Sequence, residues 1–169
     1  MAITANPLVP VDGKLVITDG GALSYEILYE DGDFSASNIK KAQKAVVAFR
    51  DRGATYAVRE TDDEEVEISF TAHAVAMLGD GATAMPMDIV ARKGVWAAAT
   101  SKLATTAGDG YLLQVQFTGE RTNFGATADT TLTLKYCNLA LDFSEGIPGK
   151  FSIKGKAFCI STDFISVTG

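Results

Sequence analysis

The stretch "DRGATYAVRETDDEEVEISF" (residues 51–70) decides how this chain is read. From Glu60 to Glu67, six of eight residues are acids. The run leads into Val66, Ile68 and Phe70, which alternate with Glu65, Glu67, Ser69 and Thr71. A period of two sends one set to a buried face and the other toward water, the pattern of a half-buried strand. Tyr56 and Val58 indicate a short strand before the acids. Asp62, Asp63, Glu64 and Glu65 offer oxygens to Ca²⁺ or Mg²⁺. A calcium loop, however, spaces its ligands at alternate positions and turns on a glycine, and this run does neither. Acid–base catalysis needs two carboxylates in different environments, which adjacent solvated acids do not supply. The plain reading is a negatively charged face.

Upstream, "SASNIKKAQKAVVAFRDRG" (35–53) is ambiguous. Ile39, Ala42, Val46 and Phe49 keep helical spacing, and Lys, Gln and Ala favour helix, yet Ala45, Val47 and Phe49 also alternate. Earlier still, "KLVITDGGALSYEILYEDGD" (14–33) gives two strands joined at "TDGG". In the second strand Leu23, Tyr25, Ile27 and Tyr29 share one face, while Glu26 and Glu30 lie on the other. Residues 1–12, with Pro7 and Pro10, read as an extended arm.

Downstream, "TAMPMDIVARKG" (83–94) predicts a helix of roughly two to three turns at ~3.6 residues each. Thr83 is its expected cap, Pro86 falls in its first turn and Gly94 ends it. Trp96 is expected to plug the core. Tyr111, Leu113, Val115 and Phe117 alternate with polar or smaller partners. In "TLTLKYCNLALDF" (131–143), Leu132, Leu134 and Tyr136 share one phase, and Leu139, Leu141 and Phe143 the other. That slip at Cys137–Asn138 predicts a bulge, and a second slip is expected near Gly155. The sum is one mainly β domain over 13–169, a two-sheet β-sandwich or barrel with one short α-helix, preceded by the arm.

Composition narrows the function classes. The chain has 169 residues, 47% hydrophobic and 21% charged, with a formal net charge of −6 and a pI of about 4.7. These values fit a folded domain. No block of five or more basic residues supplies the phosphate neutralisation on which tight nucleic-acid binding rests. Cys137 and Cys159 are expected to be buried small hydrophobes rather than a disulfide framework. "MAITANPLVPVDG" carries neither a basic region nor a continuous apolar segment, so it is not read as a secretory signal, and a cytosol-like compartment is expected. Apolar runs such as "AVVAF" (45–49) are too short to span a bilayer. "GDGATA" (79–84) mimics a dinucleotide fingerprint, but no acid follows about twenty residues on. The single histidine, His73, has no G-x-S-x-G motif to serve. Neither catalytic nor cofactor- or metal-binding residues can be assembled.

The order of these pieces resembles the major tail tube proteins of long-tailed bacteriophages. The resemblance runs through "RDRGATYAVRETDDEEVEISF", the helix ending in "ARKGVW", "GYLLQVQFTGE" and "TLTLKYCNLALDFSEGIPGKFSIKGKAF". Its most specific parts are "DRG" at Asp51–Gly53 and "FSEGIPGKFSIKGKA" at 143–157. It covers most of residues 13–160 and implies a two-sheet sandwich with one helix, with "KAVVAFRDRG" as strand. It further implies a structural virion protein, made in the host cytoplasm, whose copies (six, on the family's pattern) close into rings that stack into a hollow tube for DNA ejection. The partners implied are other copies and other tail proteins (tape measure, tail terminator, distal tail), with no membrane. DNA would pass without specific binding. On that basis Glu26, Glu30, Glu65 and Glu67 are candidate channel-facing acids, which would repel phosphates over the ~8 Å screening length at physiological salt. The arm 1–12 and segments 31–44 and 160–169 are expected to carry contacts between copies. The tube protein of a contractile injection or type VI secretion apparatus is the near alternative, and a small ligand-binding β-barrel is the rival from another class.

Overall fold

Gly13–Thr18 (β1) and Ser24–Glu26 (β2) pair antiparallel, with Thr18 opposite Ser24. The loop between them is held by Asp19, whose carboxylate accepts the backbone N–H of Gly21 (2.7 Å) and Leu23 (3.1 Å). This turn is longer than the tight hairpin read at "TDGG". The structure is a computed structural model. It describes residues 13–27, 33–39, 44–74, 76–77, 79, 84–99, 110–119, 128–147, 149–160 and 163–169. The arm 1–12, Glu30 and Thr83 lie outside the described residues.

The remaining strands are Ser35–Ser37 (β3), Lys44–Asp51 (β4), Ala54–Asp63 (β5), Val66–His73 (β6), Leu113–Gly119 (β7), Thr130–Ser144 (β8), Lys150–Ala157 (β9) and Ile165–Thr168 (β10). The ambiguous "KAVVAF" is therefore strand, as the family resemblance implied and against its helix propensity. Pairing with β5 decides it. One antiparallel sheet runs β2-β1-β7-β8-β9-β6-β3, with β10 also on β8, while β4 and β5 pair only with each other.

β8 has 15 residues and serves two sets of neighbours. Thr131–Leu134 lie between β7 and β10, whereas Cys137–Ser144 pair with β9. At the change-over Leu113 faces Cys137 and Val115 faces Leu134, so β8 carries one extra residue, and Tyr136 takes a left-handed φ of 58°. This is the expected bulge, one residue earlier than the sequence slip suggested. The second slip, near Gly155, is absent: β9 keeps unbroken register with both β6 and β8. Beyond the bulge the sheet folds over. Phe34, just before β3, stacks on Phe117 of β7 with centroids 5.1 Å apart and rings 7° from parallel. The two halves thus form the layers of a sandwich, and β8 is the strand that passes from one to the other.

The alternating residues meet between the layers. Leu15, Ile17, Val115 and Leu134 come from one, and Val66, Ile68, Phe70, Phe151 and Ile153 from the other; all are buried. The helix Pro86–Ala91 (α1) is shorter than expected and begins at Met85, not Thr83. Its buried Asp88 accepts the N–H groups of Met85 (3.0 Å) and Gly79 (2.6 Å). Arg92 ends it in the left-handed region at φ 54°. A 3-10 turn, Gly94–Ala98, then delivers Trp96 to the core, where it is 2% exposed.

Gly155 sits where β9 passes beneath β8. A Cβ there would lie 2.4 Å from the Asn138 carbonyl oxygen and 2.7 Å from Leu139 Cδ2. Main chain cannot yield as a flexible side-chain end can. Gly155→Ala should therefore lower unfolding free energy by about 1–3 kcal/mol, the usual cost of overpacking, read as a lower urea midpoint at unchanged slope. Gly149→Ala, whose Cβ would meet its nearest neighbour at 3.4 Å, should leave the midpoint nearly unmoved.

Candidate functional site

β4 and β5 form a hairpin that stands apart from the sandwich. Its turn places Arg52 at φ 47° and Gly53 at φ 88°. Two successive positive φ values match the right-handed strand twist of a two-residue hairpin, which explains the "DRG" step. Val47, Phe49, Ala57 and Arg59 share one face of the ribbon; Val46, Ala48, Val58 and Glu60 share the other. Both faces meet water. Val46 and Val58 are each 61% exposed, and Tyr56 is 71% exposed. Tyr56 and the Arg59 guanidinium lie against the Phe49 ring, at 6.5 and 6.0 Å from its centroid. A two-stranded ribbon with both faces in water is marginal by itself. This exposure was missed in the sequence. The signal was present: Val46, Val47, Ala48 and Phe49 are apolar on both phases, so no single buried face could take them all.

The second surface is the outer face of β8, β9 and β6. Glu67, Ser69 and Thr71 of β6 point away from the core, with Glu67 opposite Lys156 and Ser69 opposite Lys154. Asn138 and Asp142 of β8 oppose Lys156 and Ser152. Glu65 reaches Lys156 Nζ at 3.5 Å, a half-exposed pair that adds little stability. Ser35, Ser37, Glu67, Ser69, Asn138, Lys154 and Lys156 rim an open hollow of about 490 Å³. The face that carries Glu65 and Glu67 is thus of mixed charge, because "KFSIKGKA" puts Lys154 and Lys156 in the outward phase of β9. Period-two reading of that segment would have found them. Glu26 lies elsewhere. It is on β2, at the far end of the strand order and in the other layer, and pairs with Lys14 at 2.6 Å. The structure brings Glu65 and Glu67 together and leaves Glu26 apart.

The acid run divides between two places. Glu60, Asp62 and Asp63 lie on the exposed root of β5, and Glu64 and Glu65 form its link to β6. Among the described residues no group of three or more His, Cys, Asp or Glu is placed to hold a metal. His73 closes β6, half-buried. Cys137 is fully buried, with its thiol pushed up to about 12 by burial, and it donates to the Leu134 carbonyl at 3.2 Å. Cys159 is only half-buried, against expectation, and donates to the Glu64 carbonyl at 2.8 Å. Burial, then the charges of Asp63 and Glu65, hold its thiol above the ordinary value. Neither thiol is activated as a nucleophile. Tyr111, next to α1, donates to the Ile89 carbonyl at 2.9 Å and lies under the Arg92 guanidinium, 5.3 Å from its ring centroid. Burial pushes its hydroxyl up to about 12, although Arg92 opposes the shift.

No protein-family model matches the chain, and no curated protein sequence does. Solved structures do resemble it. One is from the sheath/tube terminator of the PVC extracellular contractile injection system in its extended state: TM-score 0.59, 9% identity, covering 98% of this chain and 99% of that one. Another is from the sheath-tube complex of the same system, with TM-score 0.55 and 9% identity over 98% and 94% of the two chains. A third is from the tube-terminating cap of the anti-feeding prophage, with TM-score 0.52 and 12% identity over 99% of each. The chain has the fold of tail-tube-like proteins over nearly its whole length.

The raised Cys137 and Tyr111 values have a consequence for alkaline stability. Ordinary values are 9 and 10, and both rise to about 12 in the folded protein. The folded state therefore holds these protons more tightly than the unfolded one. Their contribution is complete below about pH 9 and is lost as pH climbs to about 12. Urea midpoints measured across that range should fall steadily, and Cys137→Ala should delay the onset by about one pH unit, toward the ordinary Tyr value.

Proposed function

We propose that this chain is a structural subunit of a phage-like tail, building or capping its inner tube. The observation that carries the reading is the β4–β5 hairpin, a ribbon holding Val46, Val47, Phe49, Tyr56 and Val58 in water on both faces. Removing apolar area from water contributes roughly 25 cal/mol per Å². A neighbouring copy that covered these side chains would stabilise both the hairpin and the assembly. Contacts repeated head to tail close into rings or extend into filaments, according to the rotation between copies. The fold likeness to tube and terminator subunits supports the same reading.

The contractile injection apparatus fits better than the tail of long-tailed bacteriophages that the sequence resembles, because two of the similar structures come from an extracellular contractile injection system. The small ligand-binding barrel is disfavoured. Its ligand would occupy the space between the layers, which Phe151, Leu15, Ile17, Leu134, Ile153 and Trp96 fill. In the proposed assembly, copies form stacked rings, six per ring on the family's pattern, around a channel. The outer face of β6 and β9 is the candidate wall, with Glu65 and Glu67 beside Lys154 and Lys156. A wall of paired opposite charges presents no strong field to a passing polyanion, so DNA or another charged cargo slides along it. Glu26 belongs to a different surface. The role is structural rather than enzymatic.

Negative-stain electron microscopy of the purified chain should show rings or tubes. Val46→Ser with Val58→Ser should raise the concentration needed for assembly by about tenfold or more, since each buried Val is worth roughly 1.5–3 kcal/mol. The circular dichroism of the sandwich should be retained. A wild-type chain that stays monomeric at every concentration overturns the reading.

A further inference from the structure

The hairpin is charged unequally along its length. Its tip carries Arg50 and Arg52 against one carboxylate, Asp51, and all three residues are exposed. Its root carries Glu60, Asp62 and Asp63, likewise exposed, against Arg59 and against Lys44, which stands opposite Asp63 in the ladder, and Glu64 follows at once. β4 spans eight residues; at roughly 3.3 Å per residue, tip and root stand roughly 25 Å apart. That is about three screening lengths at physiological salt. The tip guanidiniums at Arg50 and Arg52 and the root carboxylates at Asp62 and Asp63 therefore cannot serve each other within one copy. A rigid ribbon with opposite charges at its ends is self-complementary when copies are set head to tail.

We infer that the hairpin is a two-ended connector: the cationic tip of one copy, Arg50 and Arg52, seats on the acidic root of the next, at Asp62 and Asp63. The inference rests on the assembly reading above and names the partner surface within it. Arginine suits the task, because its planar fork can take a carboxylate through two parallel hydrogen bonds. The charges fix direction and register, whereas the apolar faces supply area. Two tips or two roots brought together would repel, so the connection has one polarity. The same logic explains why so many acids crowd one end of β5. They form the fixed half of a joint, where solvation alone would not require them to cluster.

The test uses the full chain in two reversed forms. One is Arg50→Glu with Arg52→Glu, and the other is Asp62→Lys with Asp63→Lys. All four side chains are exposed, so both variants should keep the wild-type circular dichroism and thermal midpoint. Each alone should raise the critical concentration for assembly at least tenfold, measured by sedimentation and microscopy. An equimolar mixture should restore assembly, because each reversed tip then meets a reversed root and each native tip a native root. The four-fold variant, with tip and root both reversed, should assemble by itself. Raising salt from 0.1 to 1 M shortens the screening length from about 10 to about 3 Å, and should weaken wild-type assembly, where purely apolar contacts would hold. If wild type assembles but the single reversals assemble equally well, or the mixture fails to recover, the connector is wrong and the assembly reading stands. If wild type never assembles, both fall.

Discussion

At Tyr136 the backbone turns left-handed and β8 exchanges its neighbours, leaving β7 and β10 for β9. One extra residue there folds a single sheet into two layers. The apolar phases of β1, β7, β6 and β9 then face one another, and Phe34 closes on Phe117. Gly155 has no side chain because β9 must pass against the Asn138 carbonyl. The bulge divides the layers, and the glycine lets β9 lie close beside β8 within one of them. The helical segment is an accessory. Pro86 starts it, Asp88 ties its first turn to Gly79, and its continuation delivers Trp96 to the core.

What the sandwich satisfies internally, the hairpin leaves open. Its ladder hydrogen bonds are made within the pair, yet neither face has a layer to cover it. Apolar side chains held on such a ribbon cost free energy in a lone copy and release it on contact, which makes the hairpin a reservoir for association. The outer face of β6, β8 and β9 behaves differently. It is polar, hollowed and of mixed charge, with Glu65 and Glu67 beside Lys156.

The alternation in 66–71 named that strand and its buried face, 113–117 and 131–143 were legible as strands although Gln114 is buried and Phe143 exposed, and the acid run was legible as a charged surface. The candidate wall was only half legible. Glu65 and Glu67 stood out as a run, while Lys154 and Lys156 lay ninety residues away in a segment read for its apolar phase. Only pairing β9 with β6 sets Lys156 beside Glu67.

By itself the sequence determined that 66–71, 113–117 and 131–143 are strand and that the last of these is bulged close to Cys137, because these depend on nearest neighbours along the chain. The tertiary structure decided the rest. It settled that "KAVVAF" is strand, since helix and strand spacing coexist there and only a partner strand breaks the tie. It separated Glu26 from Glu67, since face and layer depend on strands far apart in sequence. And it left the hairpin uncovered, since burial is a property of what packs nearby: the doubly apolar run at 46–49 shows that one face could not take it all, but not that neither face is covered.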